Sequence, residues 1–255
     1  YYLSSIKNDI MDMAKYTTGL GCIRKELIYQ LKIPLPSIEV QQQIVEELET
    51  LDESIKTNNI KIEQIKKEMI LYKKYGYSAE IKKALSSCDI KELGEICYMK
   101  NGTNLTKART IEGEYPVIGG GQQPTCYHNE YNRDEYTILC SSSGAYSGYI
   151  SCYPTKVWAS DCFSIIPKNE RLNNKYLFYI LKSIQDDIYK LQSGSGVPHV
   201  YERNLQPIKI PLPPIEVQEQ IVDFYDNMFS KIAKFEEENK EKNILKIAIL
   251  NSYLQ

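Results

Sequence analysis

KIPLPSIEVQQQIV occupies residues 32–45, and KIPLPPIEVQEQIV occupies residues 209–222. The two copies lie 177 residues apart and differ only at Ser37 against Pro214 and Gln42 against Glu219. The likeness extends backwards more faintly, with Ile23 over Val200, Ile28 over Leu205 and Leu31 over Ile208. A period this long excludes a solenoid, whose repeats run about 20–50 residues, and marks a duplicated domain unit.

Each copy reads as the entry to a long helix. Pro-Leu-Pro breaks whatever precedes it, and Pro214 suits a helical first turn, where its missing N–H would lack a partner anyway. After the first copy, Ile44, Leu48, Leu51, Ile55, Ile62, Ile65, Met69 and Tyr72 recur in alternating steps of four and three, with Asn58 as the single polar member. Such heptads predict a coiled-coil helix of about 38 residues and about 55 Å, and a lone seam Asn fixes register at some cost in stability. The second copy continues with Ile221, Tyr225, Met228, Ile232 and Phe235, and its polar residue, Asn239, comes one seam position later than Asn58 does. Beyond Glu236-Glu237-Glu238, the run Ile244, Ile247, Leu250 predicts a change of phase, a stutter. Two such helices pack most simply against each other, antiparallel if the intervening segment returns the chain. A homodimer contact along each seam is the alternative.

The segment between the helices has another texture, in which Gly, Ser, Tyr and Cys replace Glu, Lys and Gln. YPVIGGG (115–121), YTILCSSS (136–143), YSGYISCYP (146–154) and VWASDCFSIIP (157–167) predict short strands bounded by turns. KYLFYILKSIQDDIYKLQ (175–192) has helical spacing. The expected architecture is therefore α+β: a mixed α/β domain flanked by two long helices packing as an antiparallel coiled coil. Its boundaries are a first remnant over 1–32, a spacer helix over 33–77, the mixed domain over 78–209 and a second spacer helix over 210–255.

Composition excludes several classes. With 42% apolar and 25% charged residues, and no apolar run near the ~20 residues of a membrane span, the chain reads as a soluble, cytoplasmic protein without a membrane partner. Tyr1 in place of an initiator Met suggests a fragment of a longer chain. Seven cysteines without a C-x-x-C pair suggest reduced, packed thiols rather than a zinc or redox site. Neither His128 nor His199 lies in a metal motif. Gly144–Gly148 spells G-x-x-S-G instead of the nucleophile elbow G-x-S-x-G, and Gly119-Gly120-Gly121 lacks the Lys-Ser/Thr of a phosphate loop. No catalytic residue, metal or cofactor is expected.

A net charge of −2 gives no global attraction to nucleic acid, so any such role rests on local groups. Lys100, Asn101, Thr103, Lys107 and Arg109 form a cluster able to pair phosphates or reach guanine edges. Gln122 and Gln123 follow three glycines, where a bare backbone lets amides approach adenine. Ser142, Ser143, Ser193 and Ser195 lie in Ser/Gly runs that offer hydroxyls and N–H groups to phosphates, and Tyr146, His199 and Tyr201 supply rings beside them.

The doubled I-P-L-P-x-I-E-V-Q-x-Q-I-V at 33–45 and 210–222, each opening a long helix, resembles the DNA-specificity subunit of type I restriction-modification systems. Y-P-V-I-G-G-G-Q-Q-P, S-S-S-G-A-Y-S-G-Y-I and W-A-S-D-C-F, within 115–163, are similar to one class of target-recognition domain in that family. The resemblance implies a non-catalytic subunit that reads double-stranded DNA, one half of a split site per recognition domain. It also implies docking to methyltransferase subunits through the helices, with restriction subunits in the full complex. Residues 1–32 then match the tail of a first recognition domain, and a homodimer of such half-subunits could rebuild a symmetric reader. The alternatives are the recognition end of a fused restriction-methyltransferase, or a coiled-coil scaffold with a protein-binding β domain.

Overall fold

The computed structural model describes residues 1, 3, 7–13, 15–17 and 20–254. In chain order the elements begin with α1 (Lys7–Asp12), β1 (Lys15–Thr17), β2 (Leu20–Cys22), α2 (Lys25–Tyr29), the long α3 (Ile38–Leu71), α4 (Ala79–Ser87), β3 (Asp89–Glu92), α5 (Leu93–Ile96) and β4 (Cys97–Asn101). Next come β5 (Tyr115–Ile118), β6 (Cys126–His128), β7 (Ile138–Ser141), β8 (Ile150–Cys152), β9 (Trp158–Ala159) and β10 (Cys162–Pro167). The chain continues with α6 (Asn174–Ser183), α7 (Gln185–Tyr189), α8 (Glu202–Leu205), β11 (Lys209–Leu212) and the long α9 (Ile215–Leu254). Mixed helix and sheet with two long helices is the expected class. Two compact units result: a helical one, Tyr1–Glu68 with Met228–Gln255, and a sheet-bearing one, Met69–Asn227.

In the helical unit α3 and α9 run antiparallel. As residue number rises along α3 it falls along α9: Tyr253 donates its hydroxyl to Glu47 at 2.9 Å, Lys246 meets Asp52, Asn58 meets Asn239, and the Lys61 ammonium lies 5.2 Å from the Phe235 ring centre. The α3 seam is the one its heptads spell, with Ile44, Leu48, Asn58, Ile62 and Ile65 buried. Asn58 Nδ2 donates to Asn239 Oδ1 and Glu238 Oε2, both at 3.0 Å, and Asn239 Nδ2 donates to Asn59 Oδ1 at 3.0 Å. Placing Asn239 one seam position late in the repeat is what lets the two amides meet head to head. Any shift of register would bury them against apolar side chains.

Of the three residues read as a change of phase in α9, Leu250 is buried against Ile44 and Leu48, while Ile244 and Ile247 stay 60% and 54% exposed. The seam reaches Leu250 through Lys242 and Lys246, which are partly buried, and closes on Ile249 and Tyr253. Lysine stems can line a seam and carry their charge to the rim: Lys246 reaches Asp52 and holds its carboxyl below the usual range, and Lys242 reaches Glu238 at 3.7 Å. Ile244 and Ile247 departed from the seam because lysines hold it between Asn239 and Ile249.

The sheet unit is built on an antiparallel sheet of order β4-β10-β7-β8. Central β10 is covered on both faces. Phe163 and Ile165 enter the main core with Ile138, Cys140 and Ile150, while Cys162 turns to a second cluster with Leu139, Ile118, Val157 and Ala159. α6 starts where Asn173 Oδ1 accepts the Tyr176 N–H at 3.1 Å, an N-cap that turns Tyr176, Leu177 and Leu181 into the core. The helix expected over 175–192 is broken at Ile184 (φ −115°, ψ 23°). The break brings Gln185 to the β8 side, where it accepts from the Ile150 N–H at 2.9 Å and donates to the Gly148 carbonyl at 2.8 Å. A small sheet of order β6-β5-β9, with β5 and β9 parallel, and a β11-β3 ribbon complete the unit.

The second repeat copy is part of this core. Ile210 and Ile221 are fully buried, and so is Gln218. Gln218 Nε2 donates to the Arg171 and Pro213 carbonyls at 2.9 and 2.8 Å, and its Oε1 accepts the Asn173 N–H at 2.8 Å. One side chain thus ties the entry of α9 to the turn that opens α6.

Candidate nucleic-acid interface

Four loop segments converge on one cleft of about 500 Å³ in the sheet unit. It is lined by Asn101-Gly102 at the end of β4, Ser142 after β7, Ser160-Asp161 between β9 and β10, and His199–Arg203 at the entry to α8. The convergence is backbone-driven. Val200 N donates to the Ser142 carbonyl, Gly144 N to that of Pro198, Ser142 N to that of Asp161, and Gly102 N to that of Cys162. His199 bridges both Ser143 and Ser193 in ladder fashion.

Two glycines clamp the β9–β10 turn. A Cβ on Gly102 would stand 2.3 Å from the Ser160 carbonyl oxygen, and one on Gly120 2.3 Å from that of Ser143 and 3.3 Å from Asp161 Oδ2. Gly119-Gly120-Gly121 is therefore packed against the end of β7, where Ser141 Oγ donates to the carbonyls of Gly119 and Gly121 at 3.2 and 3.4 Å. Ser143 Oγ donates to the Asp161 carboxylate, which fixes the acid at the cleft.

Of the residues singled out in the sequence, the cleft gathers Asn101, Ser142, His199 and Tyr201 in its walls, with Ser143 and Ser193 tied to them through His199. Thr103 lies alongside, its N–H on the Ala159 carbonyl and its own carbonyl accepting the Trp158 indole N–H at 2.8 Å. Lys100 is exposed on β4. Its carbonyl is taken by the Arg133 guanidinium at 3.1 Å and by Ser164 Oγ at 3.0 Å. Arg109, Gln122, Gln123 and Ser195 are exposed outside the cleft lining, and Tyr146 is a 47%-exposed turn residue. The Lys107 side chain lies outside the described residues.

Asp161, Arg203 and the buried Arg133 were missed in the sequence. Arg133 donates to Ser164 Oγ at 2.8 Å and to the Asn132, Lys100 and Asn101 carbonyls at 2.7, 3.1 and 2.7 Å, so it holds the end of β4 where the cleft begins. Burial pushes its pKa down. No sequence signal marks it, because an isolated Arg in a polar run looks solvated. Arg203 was legible in principle: it stands two residues beyond Tyr201 in H-V-Y-E-R, next to residues already singled out.

His128 is structural. It is buried, its Nδ1 lies 3.1 Å from the Ile111 N–H, and it packs edge-on to Trp158. Among the described residues no group of three or more His, Cys, Asp or Glu could hold a metal ion, and no helix is long and apolar enough to cross a membrane.

The fold matches known architectures. The type I restriction-modification S subunit from M. genitalium superposes with a TM-score of 0.73 at 22% identity, covering 99% of this chain and 71% of that one. A chain from a type I R-M system, in work on complex assembly and conformational transition, gives 0.55 at 20% identity, covering 99% and 68%. The family model for the type I restriction modification DNA specificity domain matches residues 1–67 and 86–245. The chain belongs to that family. Among curated relatives, the putative type I restriction enzyme MjaX specificity subunit of Methanocaldococcus jannaschii is 29% identical over 240 residues, 84% of this chain and 56% of that protein. A putative type I specificity subunit of Mycoplasma pneumoniae is 25% identical over 211 residues, 77% and 80% of the two chains. The chain thus spans little more than half the length of the first of these relatives.

Proposed function

We propose that this chain is a non-catalytic DNA-reading subunit of a type I restriction-modification complex. In this reading residues 78–209 form a target-recognition domain that takes one half of a bipartite site in cytoplasmic double-stranded DNA. The helices over 33–77 and 210–255 act as spacers that dock methyltransferase subunits, with restriction subunits joining the full complex, and residues 1–32 are the tail of a first recognition domain. DNA contact falls to Asn101, Ser142, Ser143, Ser193, His199 and Tyr201 at the cleft, with Lys100, Thr103, Lys107, Arg109, Gln122, Gln123, Tyr146 and Ser195 around it. The carrying observation is the convergence of four Ser/Gly/Asn-bearing loops on one hydrogen-bonded cleft, in a chain of this family. Loops on a clamped scaffold can vary their side chains without altering the fold, which suits a reader whose target differs between relatives.

The test is to co-express the full-length protein with its neighbouring methyltransferase and sequence host DNA for modified bases. A split motif with a fixed gap is expected, and substitution of Ser142, Ser143 and His199 by Ala changes one half of it. A stable complex that places no methyl group at any motif would overturn the proposal.

A further inference from the structure

Four arginines fall in the sheet unit, Arg109, Arg133, Arg171 and Arg203, and Arg203 is the one that lines the cleft. Its guanidinium carbon lies 4.6 Å from the centre of the Tyr201 ring, and the His199 ring stacks on the same tyrosine at 5.8 Å with planes 12° apart. Arg203 and Tyr201 are both exposed. Among the described residues no carboxylate forms an ion pair with Arg203. Tyr201 is itself anchored: its N–H donates to Asn204 Oδ1 at 2.8 Å, and its carbonyl accepts the Asn204 N–H. The adjacent His199 exchanges two backbone hydrogen bonds with Ser193, at 2.8 and 2.9 Å.

We infer that Arg203, its guanidinium held against the Tyr201 ring, is a specificity-determining residue that reads a guanine in the half-site. The inference rests on the DNA-reading function proposed above and deepens it. Contact with an anchored ring restrains the guanidinium before DNA arrives, so less side-chain entropy is lost on pairing. A planar fork with two parallel donors matches guanine O6 and N7. Phosphate is the competing occupant, and the cleft disfavours it: Asp161 and Glu202 line the same walls and repel a diester, whereas a base edge carries no net charge.

The experiment uses the full-length protein in complex with its methyltransferase. The wild-type half-site is first read from methylated host DNA, and Arg203→Ala and Arg203→Lys complexes are then profiled in the same way. Duplexes with 7-deazaguanine at each guanine of the half-site are bound in parallel. Relaxation at a single G·C position is expected in both variants, with about 5- to 150-fold less discrimination there. The 7-deazaguanine penalty at that position should vanish in Arg203→Ala. A uniform loss across all positions, with a salt slope shallower by about one and Lys rescuing Ala, would show a phosphate contact and overturn the assignment. A half-site without a G·C pair would also overturn it while leaving the DNA-reading function standing. A wild-type complex without sequence preference overturns both.

Discussion

The two copies of the repeat have nearly the same sequence and opposite surroundings. Ile210 is fully buried, whereas its counterpart Ile33 is 53% exposed; Leu212 and Ile215 are partly covered, whereas Leu35 and Ile38 are 84% and 66% exposed. Gln218 spends both ends of its amide on the turn before α6 and on Pro213. Gln41 makes the local half of that pattern, donating to the Pro36 carbonyl at 2.8 Å. The substitution at the helix entry tracks the contrast: Ser37 Oγ accepts the Val40 N–H at 3.4 Å as a weak cap, whereas Pro214 offers only its carbonyl to Val217 and Gln218. A sequence motif therefore specifies the helix it opens, but what the motif contributes to stability depends on what covers it.

The largest effect should separate the copies at the isoleucine. Ile210→Ala leaves a cavity and should cost about 2–5 kcal/mol, whereas Ile33→Ala should stay within about 0.5 kcal/mol; urea unfolding of each variant checks both. Equal costs would mean that the first copy is covered in solution. Gln218→Ala comes next, at about 2–4 kcal/mol, because it strips partners from the Asn173 N–H and the Arg171 carbonyl inside the unit. Gln41→Ala should cost no more than about 1 kcal/mol, and a matched loss in both would break the contrast.

Asn58→Ala tests the helical unit alone. It leaves Asn239 Oδ1 without its donor at a half-buried seam and should cost about 1–2 kcal/mol. The double change Asn58→Leu with Asn239→Leu should recover that stability and loosen the register. Cysteines placed at 47 and 253 would then cross-link less selectively than in the parent.

The smallest effect is a pH dependence confined to the sheet unit. Burial pushes the Lys182 ammonium down to about 8, against an ordinary value of 10.5, although it donates to the Ile150 carbonyl at 2.8 Å and faces the Tyr149 ring at 3.8 Å. Between those values the unfolded chain holds more protons than the folded one, so this group's contribution to stability rises with pH through that window. Burial raises the Tyr176 hydroxyl, which acts in the opposite sense once free tyrosine ionises near pH 10. Measured from pH 7.5 to 9.5, wild type should therefore gain on Lys182→Met. A parallel pair of curves would place the lysine in water.

Much of the architecture was legible because it follows from short-range chemistry. The α3 seam from Ile44 to Ile65, the Pro-Leu-Pro helix entries and the β runs at 136–143 and 157–167 all rest on periodicity and on the backbone limits of Pro and Gly. Reading failed where a polar side chain does the work of an apolar one. Lys242 and Lys246 carry the α9 seam where Ile244 and Ile247 leave it, and Gln185 reaches strand β8 where the helix breaks after α6. At the candidate interface, Ser142, Ser143, His199 and Tyr201 stood out in Ser/Gly runs. Arg133, buried with four hydrogen bonds to groups distant or adjacent in the chain, did not.

By itself the sequence determined the two long helices, the strand runs within 115–167, that one unit is duplicated at its helix entries, and the family to which the motifs point. The tertiary structure alone decided which copy of the repeat is covered, which amides face each other across the helix pair, and which four loops share a cleft. The reason is physical: propensity and periodicity act within a few residues, whereas burial, hydrogen-bond satisfaction and the meeting of Ser142, Asp161 and Val200 at the cleft depend on groups brought together only once the chain has folded.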